Sequence, residues 1–362
     1  MRYPFLIILL IFSLAKCTGT QTTSRAETGT ENKTHEEPEI EIDIEADHEE
    51  VEVEEDLSMF IFEPDEELPV TTFPEIWGYV IAGQEAALRR GYPISDVGYF
   101  GAEVNRYGEL ANVPNRRNLT GFTGRVHLTV TCFNYALSYF VLMPGSVQRA
   151  ALINQLVEAA GNFDGLNIDF ENIPQRSAEA FLAFLHELRE RLPGKILSVC
   201  LYGRTRSIAN DVYDYARIAP YVDRVFVMAY DLHWSGGPPG PVASLQWGRN
   251  VVNHSLNTIG REKLVMGIPL YGRAWADQNH HRALIYTTTQ RLINTHNAVV
   301  SRENGIPTFS YNVNIGVRVY FDDEYSLSSR MEMYKSMNVR AIGFWRIGQE
   351  TPRIWNILRL EN

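Results

Sequence analysis

Three cysteines in 362 residues, Cys17, Cys132 and Cys200, are too few for a disulfide scaffold. Basic residues are also in short supply. The 33 Lys/Arg stand against 44 Asp/Glu, a formal net charge of −11, which excludes a basic nucleic-acid binder. Long apolar runs are missing too. The first candidate, residues 3–15, is interrupted by Pro4 and Ser13. As a helix it spans about 20 Å, short of a hydrocarbon core of roughly 30 Å, so a multi-span membrane protein is excluded. What the chain does hold is 45% hydrophobic residues, ample for a buried core in one large domain or two small ones.

The acidity is local. Residues 27–67 carry 19 Asp/Glu and a single lysine, Lys33, whereas residues 68–362 carry slightly more Lys/Arg than Asp/Glu. Residues 18–70 are therefore expected to be a self-repelling, extended acidic linker. Ahead of it, Arg2 and the short apolar run read as a secretory signal. The run ends at Leu14-Ala15-Lys16-Cys17, which resembles a bacterial lipoprotein signal, although Lys16 departs from the small residue of that pattern. The expectation is an exported chain, periplasmic or at the cell surface, with residues 1–17 as signal and a lipid on Cys17 as membrane anchor. An ordinarily cleaved signal and an uncleaved anchor stay open.

From residue 71 to 362 short apolar runs alternate with amphipathic stretches. Eight strand candidates cover 76–81, 97–101, 126–132, 165–171, 196–202, 222–230, 264–271 and 341–345. Helical spacing marks 147–160, 178–192, 245–259 and 324–337, with Ser177 as an N-cap of the second. The pattern predicts an α/β fold, a (β/α)8 barrel, with residues 273–320 as an inserted subdomain between strands seven and eight. A doubly wound open sheet is the alternative, but no Gly-rich phosphate loop follows the first strand. Cys132 and Cys200 lie on strands that are not neighbours in a barrel, so both are read as buried thiols. His127 and His186 read as isolated. No Asp/Glu/Cys spacing around His280-His281 supports a metal, and neither metal nor cofactor is expected.

The strongest chemical signal is Asp164-Gly165-Leu166-Asn167-Ile168-Asp169-Phe170-Glu171. Strand alternation puts Leu166, Ile168 and Phe170 on one face, suited to packing under helices. Gly165, Asn167, Asp169 and Glu171 fall on the other, the barrel interior. Burying polar groups and carboxylates is costly, so three in succession need a reason. A structural hydrogen-bond ladder accounts for one or two of them. It accounts poorly for a series ending in a glutamate at the C-terminal rim, where barrel active sites sit.

This series resembles the D-x-x-D-x-D-x-E signature of family-18 glycoside hydrolases, the chitinase-like enzymes, with Asn167 in place of one aspartate. Met228-Ala229-Tyr230-Asp231, Gly267-Ile268-Pro269-Leu270-Tyr271-Gly272-Arg273 and Gly343-Phe344-Trp345 resemble that family's later strand-end motifs, in chain order. The resemblance implies hydrolysis of β-1,4 bonds next to N-acetylglucosamine, in which the substrate's own acetamide oxygen attacks the anomeric carbon. It implies Glu171 as general acid and base, Asp169 orienting the acetamide and Tyr230 bonding its oxygen. Asn167, Met228, Asp231, Trp345, Tyr271, Arg273 and Tyr79 are implied to bind substrate, while Asp164 and Gly165 are structural. With Asn167, Asp169 lacks a carboxyl partner to share a proton, so the pH profile is expected to differ from that of chitinases. The loop from Tyr230 to Val242, with His233-Trp234 and its Gly/Pro run, is similar to that of peptidoglycan-acting members, which points to cell-wall glycan. The His233-Trp234 pair reads equally as loop packing and as a substrate contact. A chitin hydrolase, a lectin-like glycan binder and a structural lipoprotein are the other readings. The retained Glu171, Asp169 and Tyr230 favour an enzyme.

Overall fold

The computed structural model describes residues 56–276, 281–313 and 315–361. The signal at 1–17 with Cys17, the linker up to residue 55, and His280 lie outside the described residues. Eight parallel strands close a barrel: β1 (Glu75–Ile81), β2 (Asp96–Val104), β3 (Arg125–Cys132), β4 (Gly165–Phe170), β5 (Ile196–Tyr202), β6 (Arg224–Met228), β7 (Leu264–Pro269) and, later in the chain, β13 (Ala341–Trp345). Each pairs with its neighbour in sequence, and β13 returns to β1. All eight expected strands are present, and the (β/α)8 architecture is correct.

The helices depart from the ideal repeat. α1 (Tyr135–Leu142), α2 (Val147–Ala160), α3 (Ala178–Arg191), α4 (Tyr215–Ile218), α5 (Leu245–Thr258) and α7 (Glu324–Ser336) follow barrel strands. The two connections β1–β2 and β2–β3 hold short 3-10 turns in place of an α-helix. Gly83, Gly91 and Pro93 interrupt the first, and Gly108, Pro114 and Gly121 the second, so neither stretch can propagate a helix. Ser177 occupies the N-cap position of α3 but makes no capping bond, because a 3-10 turn precedes the helix.

Between β7 and β13 lies a five-stranded antiparallel sheet built from β8 (Tyr271–Ala276), β9 (His281–Ile285), β10 (Ser301–Glu303), β11 (Ile306–Asn312) and β12 (Gly316–Tyr320). α6 (Tyr286–His296) packs on it through Leu292 and Ile293. The insertion begins at Tyr271, two residues earlier than the expected 273. β7 ends at Pro269, and after Leu270 the chain enters the antiparallel sheet. The expected linker also ends too late. Leu57 is buried in the main core, and the Tyr325 hydroxyl on α7 donates to the Pro64 carbonyl. A short strand, Thr71–Phe73, then pairs with Leu358–Leu360. Acidic composition hid these few apolar anchors.

Side-chain parity on β4 follows the alternation. Leu166, Ile168 and Phe170 join the core between barrel and helices, with the Phe170 ring 5.7 Å from Phe184 on α3. The barrel interior holds a separate cluster that includes Trp77, Tyr79, Cys200 and Phe226. Below it, at the N-terminal mouth, Asp96 bonds Arg125 at 2.6 and 2.7 Å and the His127 ring at 2.8 Å. His127 is thus held in this layer through Nε2, not isolated, and its ring stacks on Trp77 at 4.2 Å. Gly165 is required here. A Cβ on it would lie 2.3 Å from His127 Nδ1 and 2.5 Å from the Ile196 carbonyl.

Candidate active site

The site sits at the opposite, C-terminal mouth. Glu171 directly follows β4, and its N–H still bonds the Cys132 carbonyl of β3 at 2.9 Å, so the rim backbone is held in the ladder. Its side chain accepts one bond, from the Tyr202 hydroxyl on β5, at 2.8 Å to Oε2. Burial pushes the Glu171 carboxyl up from its ordinary range. The Tyr202 bond opposes that, and the Asp231 charge adds to it.

Asp169 lies two residues back on the same face, 5% exposed, and its Oδ1 has no partner among the described residues. Burial first, then the neighbouring Glu171 charge, push its carboxyl well above the usual value, while the Cys200 thiol offsets part of this. A buried acceptor without a donor costs on the order of 1–3 kcal/mol, a cost that a substrate N–H would relieve. Because the fold favours protonated Asp169, folding is opposed increasingly as pH rises above the unfolded carboxyl value. Asp169→Asn is therefore expected to raise the melting temperature at pH 8 and leave it near wild type at pH 4. In the same variant kcat should fall about 10²-fold with a smaller change in KM. Scanning calorimetry at the two pH values with steady-state kinetics checks both halves. A lower melting temperature at pH 8 would contradict the assigned strain.

Beneath these carboxylates is a neutral floor. Asn167 is fully buried, and its Nδ2 donates to Ser198 Oγ at 2.9 Å. Its Oδ1 accepts from the Tyr79 hydroxyl at 3.0 Å, Thr129 Oγ1 at 3.3 Å and Cys200 Sγ at 3.4 Å. The Tyr79 hydroxyl also lies 3.1 Å from Cys200 Sγ. Asn167 and Tyr79, both expected to bind substrate, lie buried beneath the two carboxyls. Asn167 Oδ1 and the Tyr79 hydroxyl are engaged with one another, and neither side chain reaches solvent. A neutral amide suits this position, since a carboxylate buried beside Asp169 would add like charge.

The rest of the mouth comes from β6, β8 and β13. Tyr230 follows Met228 and Ala229, and its ring meets Tyr271 edge-on at 6.3 Å. Burial pushes the Tyr230 phenol well above its ordinary value, so it remains a hydroxyl donor. Asp231, in the left-handed region at φ +61°, is gathered by the insertion. It accepts from the Tyr271 hydroxyl at 2.5 Å and from Arg273 at 2.7 and 3.0 Å. Arg273 reaches on to Ser235 Oγ at 3.0 Å. The structure therefore brings Asp231, Tyr271 and Arg273 together as one ion-paired group. Trp345 lies 5.0 Å from Phe100 and 5.5 Å from Tyr79, ring to ring, and with Met228 packs against the interior cluster. Asp164 stays at the far end of β4. It binds Arg116 at 2.5 Å and the Val126 N–H at 2.8 Å, in keeping with a structural role. In the loop after β6, His233 Nδ1 lies 2.8 Å from the Pro241 carbonyl, which is loop packing, whereas Trp234 is 47% exposed.

Sequence reasoning missed Tyr202 and gave Cys200 no part in the site. The available signal was the alternation Ser198, Cys200, Tyr202, which points the same way on β5 as Asn167, Asp169 and Glu171 do on β4.

Comparison with known proteins bears on this arrangement. Residues 127–350 match the family described as glycosyl hydrolases family 18. The putative sporulation-specific glycosylase YdhD of Bacillus subtilis is 27% identical over 290 residues, covering 72% of this chain and 68% of that protein. The cortical fragment-lytic enzyme of Bacillus subtilis is 27% identical over 307 residues, covering 76% and 69%. The crystal structure of the Bacillus cereus spore cortex-lytic enzyme SleL superposes with a TM-score of 0.71 at 22% identity, covering 83% of this chain and 78% of that one. With the matched segment spanning more than half the chain and containing Glu171, Asp169 and Tyr230, this protein is a glycosidase belonging to glycosyl hydrolase family 18.

Proposed function

We propose that the chain hydrolyses β-1,4 bonds next to N-acetylglucosamine in peptidoglycan or its fragments, with the substrate's acetamide as nucleophile. The observation that carries the reading is the pairing of Glu171 with Asp169 on one face of β4. Both carboxyls are held above their ordinary range, and Asp169 Oδ1 is left free. A conventional two-carboxylate glycosidase needs its second carboxylate across the scissile bond. Here Asp169 stands beside Glu171 on the same strand, and Asp231 is tied up in an ion pair with Arg273. That leaves one acid and one group that grips an amide, the set that acetamide participation requires.

In the first step protonated Glu171 gives its proton to the glycosidic oxygen, which departs with the bonding electron pair. The acetamide oxygen bonds to the anomeric carbon, Asp169 Oδ1 accepts from the acetamide N–H, and the Glu171 carboxylate left by the proton transfer balances the positive charge. In the second step Glu171 takes a proton from water as that water adds to the anomeric carbon and opens the ring intermediate. The cortex-lytic relatives support cell-wall glycan over chitin as substrate. The signal-like N-terminus supports export, with a lipid on Cys17 holding the domain at a membrane. Intact-mass analysis of the mature N-terminus tests that part.

Mass spectrometry of products from the purified protein, given peptidoglycan and chitooligosaccharides separately, tests the substrate. The expected result is peptidoglycan fragments with reducing N-acetylglucosamine ends, dependent on Glu171. Products from chitooligosaccharides alone would move the substrate to chitin. Sugar binding without cleavage of either would make the protein a lectin.

A further inference from the structure

Tyr202 is the one side chain that touches the Glu171 carboxyl through a hydrogen bond among the described residues. The bond goes to Oε2, 2.8 Å away. Two proton arrangements fit that distance. Either the phenol donates to Oε2, or a proton on Oε2 donates to the phenol. The second leaves the phenol hydrogen without an acceptor in a largely buried place, which is costly. The first satisfies both groups. It also restricts the acidic proton of Glu171 to Oε1, the oxygen that Tyr202 does not occupy. Burial holds the Tyr202 phenol well above its ordinary range, with the Glu171 charge adding to it, so the phenol keeps its own proton throughout.

The hydroxyl is also held in place. The Tyr215 hydroxyl donates to the Tyr202 carbonyl at 2.5 Å, and the Tyr213 ring meets the Tyr202 ring edge-on at 5.1 Å. Tyr213 in turn clamps the backbone on both sides of Glu171. Its hydroxyl donates to the Phe170 carbonyl at 3.2 Å and accepts the Ile173 N–H at 2.9 Å. Side chain and backbone of the acid are thus fixed from one group of tyrosines after β5.

We infer that Tyr202 is a positioning residue that donates to Glu171 Oε2, fixes Oε1 as the proton-carrying oxygen facing the substrate, and sets where the high-pH limb of the pH profile falls. This rests on Glu171 as the general acid. In the first step the Oε1 proton moves to the leaving oxygen, and the charge that appears on the carboxylate is met by the Tyr202 donor already in place. In the second step the proton taken from water returns to Oε1. The titratable and charged groups that face Glu171 are Asp169 on its own strand, Cys200 and Tyr202 on β5, Tyr213 after it and Asp231 after β6. The others are acids or neutral hydroxyl and thiol groups. Tyr202 is the group among them that favours the ionised form of Glu171.

Tyr202→Phe keeps the ring against Tyr213 and removes only the donor. The expected result is a kcat about tenfold lower and a KM little changed. The high-pH limb of kcat/KM, where Glu171 loses its proton, should move upward by about one unit, because the carboxylate has lost its stabilising bond. A lower kcat with an unmoved limb would reduce Tyr202 to a packing role and overturn the inference. A carbon-13 titration of the labelled Glu171 carboxyl, assigned with Glu171→Gln, reads the same shift without any substrate. Failure of the proposed glycan reaction is thereby kept apart from failure of this inference. Should Tyr202→Phe not fold, 3-fluorotyrosine at position 202 keeps shape and hydroxyl while making a stronger donor. The Glu171 midpoint should then move down, and an unmoved midpoint would equally overturn the proposal.

Discussion

Glu171→Gln should lower kcat by about 10³-fold or more on any glycan the wild type cleaves, while binding and fold persist. The amide is the same size as the carboxyl and still offers an oxygen to the Tyr202 hydroxyl, so the local geometry has no reason to change. What it cannot do is deliver a proton to a leaving oxygen or accept one from water, and both chemical steps need that. The same substitution removes the nearest like charge from Asp169. Because burial holds the Glu171 carboxyl above its unfolded value, ionising it opposes folding once pH exceeds that value. The variant should therefore melt higher than wild type at pH 8, by about 2 °C for a chain of this size, and equal to it at pH 4. Product analysis together with melting curves at both pH values measures all of this. Near wild-type turnover would remove Glu171 from its role. Lost turnover with lower stability at pH 8 would mean that the carboxyl is a structural group.

The barrel was legible because its strands are brief apolar runs bounded by turn residues, and because burying a strand on both faces leaves little room for polar exceptions. Asp169 and Glu171 stood out for that reason. Carboxylates inside an otherwise apolar stretch are expensive, and expense in a sequence marks function. Tyr202 carried no such mark. In Ile196–Tyr202 a terminal tyrosine looks like any strand aromatic, and only the partner across the sheet, invisible in one dimension, gives its hydroxyl a meaning. Asn167 was read as a substrate contact because its motif position is shared with catalytic acids. Its burial and its hydrogen bonds depend on Ser198, Thr129 and Tyr79, which come from three other strands. The start of the insertion was misplaced for a related reason. Leu270 and Tyr271 continue the apolar run of β7, and the change from parallel to antiparallel pairing leaves no trace in composition. Residues 57–64 were assigned to the linker because acidic stretches flank them on both sides, although Phe60 and Ile61 pack with the buried Leu57 against the main core.

The largest loss of stability is expected at the other end of the barrel, from Asp96→Ala. Asp96 is fully buried and holds three groups together: Arg125 through both oxygens, the His127 ring at 2.8 Å and Ser95 Oγ at 2.6 Å. A carboxylate only accepts, so His127 must carry its proton on Nε2 to make this bond. His127 Nδ1 is already without a partner among the described residues. Alanine at 96 would leave the buried Nε2–H without one as well, and a cavity beside it. Arg125 is 45% exposed and can turn to water, so its share is modest. Breaking the buried part should cost about 3 kcal/mol. Burial alone would raise the Asp96 carboxyl, but the His127 and Arg125 bonds outweigh it and hold the carboxyl below its ordinary value. A carboxyl lowered in the fold contributes stability above the unfolded value, about pH 4, and loses that contribution as pH falls through the folded value. Urea unfolding should therefore show the full gap between wild type and Asp96→Ala at pH 7 and a visibly smaller gap at pH 3. Catalysis per folded molecule should be unchanged at neutral pH, since Asp96 lies at the mouth opposite Glu171. A gap that does not narrow on acidification would assign the loss to the cavity alone and leave the carboxylate without an electrostatic role in holding the barrel floor.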